Sequence, residues 1–149
     1  MKSPFARLER LLHLRSVAER EQARELSEAI RSEDDRRRGS EEASARLERC
    51  GQQLLSAAND VHSAGTLRHM GHAVRNAAQD ARQAEVSHTA STEVVRSEQE
   101  KFNEARKDRR VVERYRERRQ ELWNLEAARQ EQKNMDEIER HQRAQRGDQ

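Results

Sequence analysis

One proline, one cysteine, five glycines and an aromatic content of 3% leave this 149-residue chain with few of the devices that shape globular proteins. After its only proline, Pro4, no residue breaks a helix by removing a backbone donor. Its only cysteine, Cys50, cannot form an internal disulfide, which fits a reducing compartment, and its spacing makes it a small side chain on a helix seam. Only 32% of the residues are hydrophobic, too few to fill a globular core. No stretch approaches the roughly 18 consecutive apolar residues of a membrane-spanning helix. The Leu-rich opening around Leu11 to Leu14 carries Arg and Glu, unlike a signal peptide, so a cytoplasmic protein is expected. An excess of one charge is missing too: 30 basic residues against 28 acidic ones give a net charge of +2.

What the chain does have is charge of both signs, 39% of all residues, interleaved as on solvated helix faces. Ala, Glu, Arg and Gln are good helix formers, so a narrow apolar seam along long helices makes the best use of so little apolar surface. Regular spacing separates this reading from disorder. Going backward from Gly65, the residues Ala64, Val61, Ala57, Leu54, Cys50, Leu47 and Ala43 fall at alternating steps of three and four. Going forward, Leu67, Met70, Val74, Ala77, Ala81, Ala84 and His88 do the same, and the numbers of each mirrored pair add to 131. This is a heptad seam reflected about a turn. The expected fold is all-α: a long antiparallel two-helix coiled-coil hairpin spanning residues 1–149 as a single domain.

Helix one should open at Ser3 and Pro4, since proline suits the first helical turn, and run from about residue 4 to about residue 63. A turn at about 63–66 and a second helix from about 66, capped by Thr66, to about 143 complete the prediction. Apolar residues recur through Phe5, Leu8, Leu11, Leu12, Leu14, Val17 and Ala18, then Ala23, Leu26, Ala29 and Ile30. Between Ser32 and Ser40 the seam becomes polar and includes a nearby Gly39, opposite a Ser/Thr-rich stretch from His88 to Ser97, so a bent or frayed middle is expected. The second seam passes Val95, Phe102, Ala105 and Val112 and drifts to Tyr115, Leu122 and Leu125, as a stutter would produce. The mirror pairs Phe5 with Glu126, so the rest of helix two should be a C-terminal helical overhang.

No phosphate loop, catalytic triad or cleft-forming pattern is present, and two paired helices exclude little water, so the protein should not be an enzyme and should need no cofactor. His62, His69 and His72 cluster near the turn but occupy no seam position and lack a full ligand set, so they read as solvated histidines rather than a metal site. From Arg106 to Arg119 there are eight basic and three acidic residues. The acids interrupt that stripe, which favours an acidic protein partner over nucleic acid. Met135 and Ile138 are apolar, three residues apart, and without a partner in the hairpin, which marks the overhang as a docking site.

The chain opens with Leu8-Glu9-Arg10-Leu11-Leu12-His13-Leu14-Arg15, followed by Glu19, Ala23, Leu26 and Ala29. It ends with Arg118-Arg119-Gln120-Glu121-Leu122-Trp123, then Glu131-Gln132-Lys133-Asn134-Met135-Asp136-Glu137. These two segments resemble the FliJ family of flagellar type III export, the first its leucine-rich helix start and the second its C-terminal pattern. The resemblance implies a cytoplasmic stalk similar to the γ subunit of rotary ATPases, peripheral to the inner membrane through its partners alone. Those partners would be an export ATPase hexamer, the cytosolic domain of the export gate and export chaperones. It implies ATPase docking through Leu8, Leu11, Leu12, Trp123, Gln132, Lys133, Met135, Asp136 and Ile138. It also implies gate contact through Leu47, Leu54, Ala84 and His88, although Cys50, Leu54, Ala77 and Ala81 stand where the family shows larger or aromatic residues. An injectisome stalk of the same type, or a nucleic-acid-associated coiled coil, is the alternative.

Overall fold

The computed structural model describes residues 6–60 and 62–147. The expected opening at Ser3 and Pro4, Phe5, and the seam position of Val61 lie outside the described residues. All regular structure among them is α-helical, in two elements, α1 (Ala6–Asn59) and α2 (Ala64–Gly147). Contacts divide the protein into two compact units. One takes the described residues up to Ala18 together with those from Arg106 onward, and the other is Glu19–Ala105.

The second unit is the hairpin that the heptad pattern predicts. Its buried residues are Leu26, Ser40 and Ala57 on α1 and Ala77, Ala81 and Ser91 on α2. Half-buried side chains fill the steps between them, among them Gln22, Ala29, Glu33, Leu47, Cys50 and Leu54 facing Met70, Val74, Ala84, His88, Val95 and Phe102. No large side chain among the described residues is fully buried. A seam this narrow, dense in Ala and Ser, lets two helices approach closely and spreads the apolar stabilisation thinly along their length.

The turn lies earlier than the mirror about Gly65 predicts. The first helix stops at Asn59 and the second begins at Ala64. Ser63, not Thr66, caps α2: its hydroxyl accepts the Thr66 backbone N–H at 3.2 Å and lies 2.9 Å from the Thr66 hydroxyl. That is the N-cap arrangement, in which a Ser oxygen satisfies an orphan donor of the first turn. Gly65 is inside the helix and has no positive φ.

The pairing moves with the turn. Side chains that meet across the hairpin are Glu33 with His88, Arg36 with Ser87, Ser40 with Glu85 and Arg46 with Asp80, and the numbers of these pairs add to 121–126 rather than 131. The observed register is therefore one heptad short of the expected one. A slip of seven returns every seam residue to the seam, so the heptad pattern alone does not choose between them; the Ser63 cap does. Leu47 then lies beside Ala78 and Ala81, where the mirror pairs it with Ala84.

The expected fraying of the middle is absent. Both helices run unbroken through Gly39 and through residues 88–97. The reason is that the polar seam between Ser32 and Ser40 and across from it largely finds partners, although Gln22 Oε1 and Glu98 Oε2 further along the seam are buried without one. His88 Nε2 lies 2.7 Å from the Glu33 carboxylate, and the Ser40 hydroxyl donates to Glu85 at 3.0 Å. The Ser91 and Thr92 hydroxyls donate to the His88 carbonyl at 2.7 and 3.2 Å, and Thr89 donates to the Glu85 carbonyl at 2.9 Å. Polar groups that find partners do not carry the cost of burial that unpaired ones would. On the outer faces the pattern acid, Arg three residues later, acid four residues after that, recurs at 21-24-28, 34-37-41 and 93-96-100. These are the spacings at which helix neighbours face one another. In the second triad, the hydrogen bond from Arg37 and its charge hold the Asp34 carboxyl below its ordinary range.

The first unit packs the start of α1 on α2. Ala6, Leu8, Leu12 and Ser16 are half-buried there, against Arg109, Val112, Glu113 and Arg116. Two ion pairs cross between the helices, Arg15 to Asp108 at 2.8 Å and Arg116 to Glu9 at 3.2 Å. The drift to Tyr115, Leu122 and Leu125 does not occur. Those three are 51%, 58% and 56% exposed, and α2 keeps a strict heptad through 109, 112 and 116 because Arg109 and Arg116 hold seam positions that a purely apolar count passes over. From Glu117 through Arg143 every residue is exposed.

Candidate docking surface

With no enclosed core beside which to build a cleft, function has to reside on the helix surfaces. The bare part of α2 is the most informative of them. Helices of polar, charged sequence remain folded mainly by packing, yet α2 continues to Gly147, and from Glu117 through Arg143 its side chains are in solvent. Good helix formers support it, together with local pairs such as Gln120 with Asn124 at 3.0 Å and Arg143 with Glu139 at 3.5 Å.

The residues expected to dock on an ATPase fall into two groups. Leu8 and Leu12 are half-buried against α2, while Leu11 beside them is 40% exposed. On α2, Trp123 is 51%, Met135 62% and Ile138 53% exposed, and Gln132, Lys133 and Asp136 are exposed with them. Gln132, Met135 and Ile138 follow one another at three-residue spacing within two helical turns, and Asp136 stands beside Gln132 on the side away from Ile138. The α1 leucines are not part of this group: Glu9 meets Arg116, and Met135 lies nineteen residues further along α2, about 28 Å at the helical rise.

The residues expected to touch an export gate, Leu47, Leu54, Ala84 and His88, are all half-buried in the hairpin seam. His88 is engaged with Glu33, and Leu47 lines an open groove with Ala78, Ala81, Arg82 and Val86. Near the turn, His62 lies 4.0 Å from Asp60 and His72 bonds Arg75 at 2.8 Å. Among the described residues no three or more His, Cys, Asp or Glu side chains are grouped so as to hold a metal ion. No helix among them is long and apolar enough to cross a membrane.

The basic run from Arg106 to Arg119 is partly neutralised within its own unit. Arg116 pairs with Glu9 of α1 and Arg109 bonds Glu113 at 2.7 Å, whereas Arg15 of α1 takes up the run's own acid, Asp108. Its exposed apolar members, Val111 at 67% and Tyr115 at 51%, are a feature that sequence reasoning missed, having assigned Tyr115 to the seam. Extending the strict heptad of Ala105 through Arg109, Val112 and Arg116 would have left both outside.

An α-helical hairpin with a narrow seam, a long exposed helical end and clustered surface residues defines an all-α protein of the coiled-coil type. The sequence profile described as Flagellar FliJ protein matches residues 4–148. The chain belongs to the FliJ family, whose members are components of flagellar and type III protein export, a family of structural export proteins rather than enzymes. Neither the curated proteins nor the solved structures contain a match.

Proposed function

We propose that the protein is the coupling stalk of a flagellar type III export apparatus. The observation that carries this reading is the bare C-terminal part of α2, where Met135 and Ile138 present apolar side chains that stay exposed among the described residues. In this reading the patch of Gln132, Lys133, Met135, Asp136 and Ile138, together with Trp123, enters the ring of the hexameric export ATPase. Leu8, Leu11 and Leu12 support it from α1. The stalk has no catalytic residue and needs no cofactor: it stabilises the ring by binding only the assembled state. The hairpin unit reaches the cytosolic domain of the export gate and the export chaperones. A gate segment would enter along the open groove beside Leu47, while Leu54, Ala84 and His88, half-buried in the seam, are not among the residues that line it. The protein would work in the cytoplasm, at the inner membrane through its partners.

Replacing both Met135 and Ile138 with Ser tests this. Burial of each side chain should be worth about 1.5–3 kcal/mol, so the double substitution should weaken ATPase binding at least about a hundredfold. The melting curve should not move, because both residues are exposed in the free protein. Wild-type protein at saturation should raise the turnover of the export ATPase, and the variant should not at the same concentration. Unchanged binding by the variant would remove the overhang from the mechanism, and absence of any stimulation by the wild type would remove the stalk reading itself.

A further inference from the structure

A second apolar face lies on the unit formed by the two ends of the chain, apart from the Met135 patch. Asp108, Tyr115 and Leu122 are seven residues apart on α2 and so form one row. Asp108 reaches Arg15 of α1, which places the Asp108 and Tyr115 part of that row along the border with α1. On the α1 side of the same border stand Leu11 and Ala18, neighbours of Arg15 at helical spacing, whereas Leu14, two residues from the half-buried Leu12 and Ser16, faces away from α2. The opposite flank of α1 is the one that carries Glu9, engaged with Arg116. Leu11, Val111, Tyr115 and Leu122 thus share one side of the unit, with exposures of 40%, 67%, 51% and 58%. Exposed apolar side chains gathered on one face mark an interaction site, where the same residues scattered would not.

The rim tells what covers this face. Arg7 precedes Leu11 by four residues, Lys107 and Arg114 flank Val111, and Arg118 stands between Tyr115 and Leu122, all at the spacings of helix neighbours and all exposed. The acid on the border row, Asp108, is already engaged by Arg15. A second copy of this chain would bring four like charges against these four, which is unfavourable. An acidic partner is matched to them. From Val111 to Leu122 the face is about 16 Å long, room for three turns of helix lying along this flank of α2.

We propose that this face seats a third helix, an amphipathic helix from a partner protein whose apolar ridge is flanked by Asp and Glu. It shares Leu11 with the proposed ATPase dock and otherwise stands on different residues, and it does not rest on the export role. The probe is a fluorescent synthetic peptide of about 20 residues, with Leu at i, i+3, i+4 and i+7 and Glu on the flanks. A control peptide keeps the Leu core and carries Lys flanks. The Glu-flanked peptide should bind one to one, more weakly as salt rises from about 0.05 to about 0.5 M, and the Lys-flanked one should not bind. Tyr115→Ser with Leu122→Ser, and separately Val111→Ser, should each reduce affinity at least about tenfold without shifting the melting curve. ATPase binding by these variants is measured alongside, so loss of one interaction is distinguished from loss of the other. Equal binding of the two peptides, or wild-type affinity in both variants, overturns the proposal. So does a wild-type dimer in solution that the same substitutions dissociate, since the face would then belong to a second copy.

Discussion

The register of the hairpin can be read out with the native cysteine and one substitution. If paired positions centre one heptad below the mirror about Gly65, as the Glu33–His88 and Arg46–Asp80 contacts require, Cys50 lies opposite Val74. In the mirror register it lies opposite Ala81. These two positions are seven residues apart, about 10 Å along α2, whereas a disulfide needs Cα atoms within about 7 Å, so one variant can crosslink and the other cannot. Under mild oxidation Val74→Cys should give a monomeric crosslink and Ala81→Cys should not. The loop closed between residues 50 and 74 removes unfolded-chain entropy worth about 3 kcal/mol, before any strain. For a chain of this size that is an upward shift of about 10 °C in the melting midpoint, lost on adding reductant. Non-reducing electrophoresis, with melting followed by circular dichroism, reads both. Crosslinking of Ala81→Cys in place of Val74→Cys would refute the register, and disulfide-linked dimers from Val74→Cys, with no internal crosslink, would show that the seam pairs two chains.

Two further outcomes follow from single positions. Gly39 sits in an unbroken helix, and an added Cβ would meet nothing within 4 Å. Gly39→Ala should therefore stabilise the protein by about 0.5–1 kcal/mol, visible as a rise in the urea midpoint, and a fall would mean that the glycine serves a contact made in the hairpin. Asp34 is held below the ordinary carboxylate range by its hydrogen bond from Arg37, so its contribution to stability is present above that range and is lost as pH falls through its lowered value. Asp34→Asn should lie slightly below wild type in melting midpoint at neutral pH and converge with it in acid, and a gap that persists at low pH would assign the effect to something other than the charge.

Much of this fold was legible because a heptad seam needs only the spacing of Leu, Val, Met and Ala to declare itself. The seam residues Leu47, Cys50 and Leu54 facing Met70, Val74 and Ala77 were all identified in sequence, and the all-helical architecture with them. What failed was phase. A seven-residue slip is invisible to a seven-residue pattern, so the position of the turn rested on weaker signals, and Gly65 and Thr66 outweighed Ser63. The structure favours Ser63 because a serine oxygen facing the third helical N–H satisfies a donor that a helical glycine does not.

The candidate sites divide along the same line. Met135 and Ile138 could be found because their exposure follows from the absence of any partner segment, a property of length rather than of phase. The face around Leu11, Val111 and Tyr115 could not be found by counting apolar residues, because two seam positions beside it are arginines. Arg109 and Arg116 pack their stems on the seam and direct their charge to Glu113 and Glu9, so the apolar count follows the surface stripe and loses the true one. The same substitution of cations into the seam leaves Val111 and Tyr115 outward, amid arginines and a lysine. A basic seam and an exposed apolar stripe are thus one design seen from two sides: the first weakens the pairing of α1 with α2, and the second offers a place where a third helix would strengthen it.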